Sequence, residues 1–262
     1  MDASDDFHEQ WKQLVRAETN SLQGTSGWWQ RLIATDLDKD GKIDLIAGNY
    51  GLNSKLSPSP SQPLKLFVFD YDDNGSTDQV MAIQQDGKYF TFLGKDELEK
   101  QMPGLKKDYL KYSEFAKKSV EEIFGNKLDN AKNFEAREFR SMVFLNDGKG
   151  NFTEVEMPRQ SQVSPLFAMT TDDINGDGKD DILAAGNFYG VLPYEGRYDA
   201  GYGTVVIQED RDKLKALNYM QTGLILRGEV RDIQKIRTAG GRTCYLVARN
   251  NDRLECWEKL AK

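Results

Sequence analysis

Asp36-Leu37-Asp38-Lys39-Asp40-Gly41-Lys42-Ile43-Asp44 is the stretch on which the reading of this chain turns. Side-chain carboxylates stand at positions 1, 3, 5 and 9 of the nine, with glycine at position 6. Alternate residues of a tight loop converge on one point. Four anions gathered there repel one another unless a hard cation sits among them. Gly41 permits the sharp reversal, and the Lys42 carbonyl can add one more oxygen.

The pattern returns at Asp70-Tyr71-Asp72-Asp73-Asn74-Gly75-Ser76-Thr77-Asp78, with Asn at position 5. It returns again at Asp173-Ile174-Asn175-Gly176-Asp177-Gly178-Lys179-Asp180-Asp181, with Asn at position 3. Three runs in register point to three Ca²⁺ sites, with three acidic hairpin turns as the plain alternative. The runs are not EF-hands. An EF-hand needs a bidentate Glu at position 12, which is Ala47, Met81 and Ala184 here. Their flanks are also strand-like: Leu45-Ile46-Ala47, Leu66-Phe67-Val68-Phe69 and Ile182-Leu183-Ala184-Ala185.

Composition narrows the class. The chain has 262 residues, 39% hydrophobic and 29% charged, which suits an ordinary globular protein with a sizeable core. Its net charge is -7. Three bound Ca²⁺ would leave about -1, so the acidity belongs largely to the loops. No basic stripe is present, which argues against a nucleic-acid partner. Met1–Asp6 is polar and reads as no signal peptide, and no apolar run is long enough to span a bilayer. Calcium loops of modest affinity suit compartments outside the cytosol, so a piece of an exported protein is expected. His8 is the only histidine, which excludes a histidine triad or a multi-histidine zinc site within the chain. Cys244 and Cys256 fall on partner strands of one hairpin. A short turn at Asn251-Asp252 does not set them opposite each other, so two buried thiols are expected ahead of a disulfide.

Taken in order, residues 1–10 read as a frayed end and Gln13–Ala17 as an outer strand. Strands are expected at Gly27–Ala34, Asp44–Asn49, Leu64–Phe69, Gln79–Gln84 and Tyr89–Phe92. Residues 93–134 read as a helical insertion. Asp96 and Glu99 resemble a capping box, and Ser113 caps a second helix bearing Phe115, Ala116, Val120, Ile123 and Phe124. A third helix is expected at Lys127–Lys132. The insertion is read as a cover on a sheet edge, with partner docking as the alternative. Strands resume at Phe139–Leu145 and Phe152–Glu156 around an Asn146–Asn151 hairpin turn. Further strands follow at Phe167–Thr171, Asp181–Asn187, Gly203–Gln208, Thr243–Arg249 and Arg253–Trp257.

The chain repeats itself. Asp36–Gly51 and Asp173–Gly190 both run loop, apolar strand, Gly-Asn, then Tyr-Gly. Removing the helical insertion leaves units of about 45 residues, the period of propeller blades. An all-β fold of about four blades is expected, an incomplete ring with a small helical insertion.

Gly27-Trp28-Trp29, the Asp36–Gly51 run with Leu52-Asn53, and Gly186-Asn187-Phe188-Tyr189-Gly190 with Gly196-Arg197-Tyr198-Asp199-Ala200 resemble the FG-GAP/VCBS-repeat proteins of Bacteroidetes-type bacteria. So do Gly228–Asp232 and Val247–Asp252. The resemblance runs from residue 27 onward and is to the C-terminal part of such proteins. It implies an integrin-α-like β-propeller across 1–262 with calcium in its blade loops, exported to the cell surface or periplasm. The family's metal positions fall on Asp36, Asp38, Asp40, Lys42 and Asp44, on Asp70, Asp72, Asn74, Ser76 and Asp78, and on Asp173, Asn175, Asp177, Lys179 and Asp181. Lys42, Ser76 and Lys179 would act through backbone carbonyls. No Gly-Ala-Pro cage motif occurs, and the chain's Phe-Gly, Phe124-Gly125, falls in the helical insertion and not at a blade strand.

The expected role is a calcium-stabilised scaffold that binds a protein or glycan at the cell surface, with further blades as another partner. Tyr189, Tyr194, Tyr198 and Tyr202 are candidates for a binding face, with packing between blades as the alternative. A calcium-dependent carbohydrate-active enzyme, a polysaccharide lyase or hydrolase, or the non-catalytic module of one, is the competing reading. No residue is marked out as catalytic, and the Arg197-Tyr198-Asp199 turn is expected to be structural.

Overall fold

The computed structural model describes Leu22 and residues 24–259 apart from Tyr194. The expected frayed end, the Gln13–Ala17 strand, His8 and Tyr194 lie outside the described residues. The described chain is built from fifteen strands in four antiparallel sheets, with most of its short helices in one segment. It divides into two compact units: one holds Trp28–Ser54 and Phe139 onward, the other Gly24–Gly27 and Lys55–Glu138.

The first unit begins with β1 (Arg31–Thr35) and β2 (Asp44–Gly48). The chain then enters the second unit, which holds β3 (Leu64–Phe69), β4 (Asp78–Gln85), β5 (Lys88–Thr91) and β6 (Lys132–Ala136). It returns as β7 (Met142–Asn146) and β8 (Phe152–Glu156). β7 pairs with β2, Leu45 opposite Phe144, so a whole sheet with its helices is inserted between neighbouring strands of one sheet. Next come β9 (Leu166–Asp172), β10 (Asp181–Gly186), β11 (Thr204–Asp210) and β12 (Lys213–Leu217), a plain four-stranded meander. β13 (Val230–Arg237), β14 (Thr243–Arg249) and β15 (Glu255–Glu258) make a three-stranded sheet. The sequence reading places no strand at β6, β12 or β13; each is held by antiparallel pairing, β6 to β3, β12 to β11 and β13 to β14.

The three sheets of the first unit are stacked by the alternation of β10. Every residue of Asp181–Gly186 is buried, because both faces are covered. Ile182 and Ala184 pack with Ile46, Val143 and Leu166, whereas Leu183 and Ala185 pack with Val230, Ile233 and Val247. β9 lies beside both β1 and β13. The Gly-Asn pairs that end β2 and β10 are a close-approach device. A Cβ on Gly48 would come within 2.5 Å of the Leu166 carbonyl oxygen, and one on Gly186 would overlap that of Pro165. Asn187 then follows at φ 81, its Nδ2 donating to the carbonyls of Gly201 and Gly228.

In the second unit the sheet order is β5-β4-β3-β6. Helices Lys95–Gln101, Leu105–Asp108, Tyr112–Phe115 and Val120–Phe124 cover one face. Their Leu98, Met102, Phe115, Val120 and Phe124 pack with Phe67, Val80, Ala82 and Tyr89 of the sheet. Four expectations need correcting. The first helix starts from Gly94 with no side-chain cap, so Asp96 and Glu99 lie inside it and form no capping box. The cap is Ser119, which accepts from Glu122 N while Glu122 bonds back to Ser119 N; Ser113 lies inside a helix. The expected third helix is a 3-10 segment, Gly125–Asn130, and Lys132 already belongs to β6. The insertion covers the sheet's face, while β6 covers the edge of β3.

Cys244 and Cys256 form a disulfide, Cα–Cα 6.2 Å, so the expectation of two thiols is corrected. Cys244 stands opposite Glu258 and Cys256 opposite Leu246, so the two cysteines are diagonal neighbours, a spacing within disulfide reach. No described helix is long and apolar enough to cross a membrane.

Candidate metal centre

The three acidic runs are three hairpin loops of one design, joining β1 to β2, β3 to β4 and β9 to β10. Each turns left-handed twice. Position 4 has positive φ (Lys39 61, Asp73 58, Gly176 84), and so does position 6 (Gly41 85, Gly75 83, Gly178 87). The second reversal is marked in the sequence by its glycine. The first is hidden at Lys39 and Asp73, which pay local strain there.

These reversals aim backbone N–H groups at the carboxylates. The position 1 carboxylate accepts from the position 6 N–H in every loop: Asp36 from Gly41 at 3.0 Å, Asp70 from Gly75 at 2.8 Å, Asp173 from Gly178 at 3.0 Å. The position 5 side-chain oxygen accepts from the position 7 N–H: Asp40 from Lys42, Asn74 from Ser76, Asp177 from Lys179. Position 9 accepts from the position 2 N–H at 3.0 Å in all three, Asp44 from Leu37, Asp78 from Tyr71 and Asp181 from Ile174. Position 2, which sequence reasoning passed over, is the apolar anchor of each loop. Leu37 and Tyr71 are core residues, and Ile174 packs against the cluster around Leu183. Its signal was available: an apolar residue between the first two ligands of all three runs.

The position 9 carboxylates are sunk beneath the strand ends, with Asp44, Asp78 and Asp181 at 0%, 3% and 0% exposure. Burial raises the pKa of all three, against the hydrogen bonds they accept. Position 5 behaves oppositely. The Lys42 side chain holds Asp40 below the usual carboxylate range, and the Lys179 N–H does the same for Asp177.

Carboxylate oxygens of Asp36, Asp38 and Asp40 lie within 4.8 Å of one another, as do those of Asp70, Asp72 and Asp78; either group could bind a metal ion. Asp36 Oδ1 and Asp72 Oδ1 are buried with no hydrogen-bond partner. An orphaned, buried carboxylate oxygen inside an acidic cluster is what a cation would satisfy. In the third loop Asn175 replaces one carboxylate, and its Nδ2 donates to Asp177 Oδ2 at 2.9 Å. The ammonium groups of Lys42 and Lys179 are taken up by Asp40 and the Glu209 carbonyl, which leaves their own backbone carbonyls as the oxygens to offer.

Asn146–Asn151 is a hairpin turn between β7 and β8. Asp147 is satisfied internally, by the N–H groups of Lys149 and Asn151 and by the Asn151 amide. The candidate tyrosines divide. Tyr198 packs on Tyr50, ring centroids 5.2 Å apart, and its backbone pairs with Phe188. Tyr189 lies under the Arg197 guanidinium at 4.7 Å. Tyr202 is 44% exposed and stacks near the exposed Tyr219. Sequence reasoning missed Glu229, a buried carboxylate that binds Tyr189 N–H, Arg231 and Asn250 and ties β13 to the segment after β10. No protein-family model matches the chain, and no curated protein matches it.

Proposed function

We propose that the chain is a calcium-loaded β-propeller module of an exported protein, built in the FG-GAP/VCBS manner, whose blades present a protein- or glycan-binding surface at the cell surface or in the periplasm. The observation that carries the calcium reading is the shared hydrogen-bond pattern of the three loops. It leaves buried oxygens of Asp36 and Asp72 without a partner. The donors are all oxygen, which suits a hard cation, and loops with six or more available oxygens suit Ca²⁺ better than Mg²⁺. The ion would neutralise the clustered carboxylates and stiffen the loops. The third loop belongs to the same reading, with Asn175 giving a neutral oxygen.

The propeller reading is supported by the stacking of three sheets in the first unit, with β9 between β1 and β13. Export is supported by the Cys244–Cys256 disulfide, since such bonds persist in oxidising compartments. The exposed Tyr202 and Tyr219 offer flat apolar faces of the kind that stack on sugars or partner side chains. Isothermal titration of chelator-stripped protein with CaCl₂ tests the core of the proposal. Three sites, filled by Ca²⁺ and poorly by Mg²⁺, are expected. Absence of any calcium heat, together with unchanged thermal melts, would refute it.

A further inference from the structure

We propose that Arg211 is an internal counter-ion that competes with the cation for the first loop, making Asp36–Asp44 the last of the three sites to fill. This rests on the calcium reading above. Charge counting alone says the reverse. The first loop offers four carboxylates and each of the others three, and affinity in such loops rises with ligand charge.

Arg211 sits in the tight turn between β11 and β12. Its Nε is 2.7 Å from Asp38 Oδ2, and its Nη2 is 3.3 Å from Asp40 Oδ2. Those are the position 3 and position 5 carboxylates, two of the groups a cation would draw upon. The Asp38 side chain is 3% exposed, so its charge is nearly cut off from water and the guanidinium beside it is felt strongly. The Nε contact is close but lacks hydrogen-bond alignment, so Asp38 Oδ2 is electrostatically paired without being satisfied. Among the described residues, no ion pair reaches positions 1, 3, 5 or 9 of the other two loops. Lys127 pairs with Asp73 at position 4, and Lys39 with Asp180 at position 8.

The turn is also built for release. Its backbone is held, with Arg211 N–H donating to Asp210 and its carbonyl accepting from Gln208. The Arg211 side chain is 57% exposed and can swing into water without disturbing the core. Cation entry therefore exchanges one counter-ion for another and frees the arginine, while the turn backbone stays where it is.

Hydrogen-exchange mass spectrometry over a calcium titration tests this, because each loop is followed by its own peptide. In the parent protein, residues 36–44 are expected to become protected at higher calcium than both 70–78 and 173–181. Arg211→Gln should lower the midpoint for 36–44 about fivefold, the scale of one ion pair of roughly 1 kcal/mol, and leave 173–181 unmoved. Arg211→Lys, which keeps the charge and loses the fork, should fall between. A midpoint for 36–44 that is the same in parent and Arg211→Gln, with calcium protection present, overturns the counter-ion role and leaves the calcium reading standing. No calcium protection of any loop in either protein overturns both. Thermal melts of the variants establish that they fold, and the exposed position makes that the expected result.

Discussion

In the first unit, two of the acidic loops each join an edge strand, β1 or β9, to its neighbour, and the sheets bearing them are covered by other sheets. In the second unit, the same nine-residue loop joins the two central strands, β3 and β4, and helices cover the sheet. Three internal hydrogen bonds, from positions 6 to 1, 7 to 5 and 2 to 9, are nonetheless common to all three. The difference teaches that the loop is locally determined. It needs a two-strand platform and an apolar anchor at position 2, and it is indifferent to what covers the sheet. Only the anchor adapts: Leu37 meets a sheet–sheet core, whereas Tyr71 stacks on Phe124 of the helical layer at 4.4 Å.

The strongest challenge to that equivalence is metal removal. At free calcium about 100-fold above the dissociation constant, each loaded loop adds roughly 2.7 kcal/mol to the stability of the unit carrying it. EGTA should therefore lower the melting temperature of both units, read by limited proteolysis of each during a thermal ramp. A shift confined to one unit would break the equivalence of the loops.

Anchor substitutions sharpen the same comparison. Tyr71→Ala should cost about 3–5 kcal/mol and Leu37→Ala about 2–5 kcal/mol by cavity formation. The Tyr71 variant should expose residues 95–130 to protease while β9–β12 stay protected. The Leu37 variant should do the opposite. General loss of protection in both would mean that the units do not respond separately.

The disulfide belongs to the first unit alone. Cys256→Ser opens a loop of sequence separation 12, and a loss of about 3 kcal/mol is expected in the first unit by denaturant titration, with the second unchanged.

The smallest effect is electrostatic. Burial pushes the Asp172 pKa up, but the hydrogen bonds from Tyr245 and Lys235 outweigh it and hold the carboxyl below its ordinary value of 3.8. A lowered folded-state pKa contributes stability that is full above about 3.8 and lost as pH falls through the folded value. Tyr245→Phe should thus cost about 1.5–3 kcal/mol at pH 7 and progressively less below pH 3.8. A cost independent of pH would assign Tyr245 to packing alone.

What the sequence by itself determined is the local chemistry. Side-chain oxygens at positions 1, 3, 5 and 9, glycine at position 6 and apolar strands on either side depend on residues within a few positions of one another. The hairpins therefore stand where the spacing puts them, as do Leu64–Phe69, Phe152–Glu156 and Thr243–Arg249, whose ends match the sequence reading. The tertiary structure alone decided what depends on distant partners. β6 is a strand because β3 offers it an edge, and Lys55–Glu138 forms a unit because β2 and β7 pair across it. Cys244 and Cys256 bond because a diagonal register brings their Cα atoms to 6.2 Å. Arg211 reaches Asp38 across 173 positions of chain because the β11–β12 turn and the first loop meet in space. Periodicity records which face of a strand is buried, but it carries no record of which distant strand, turn or charge will do the burying.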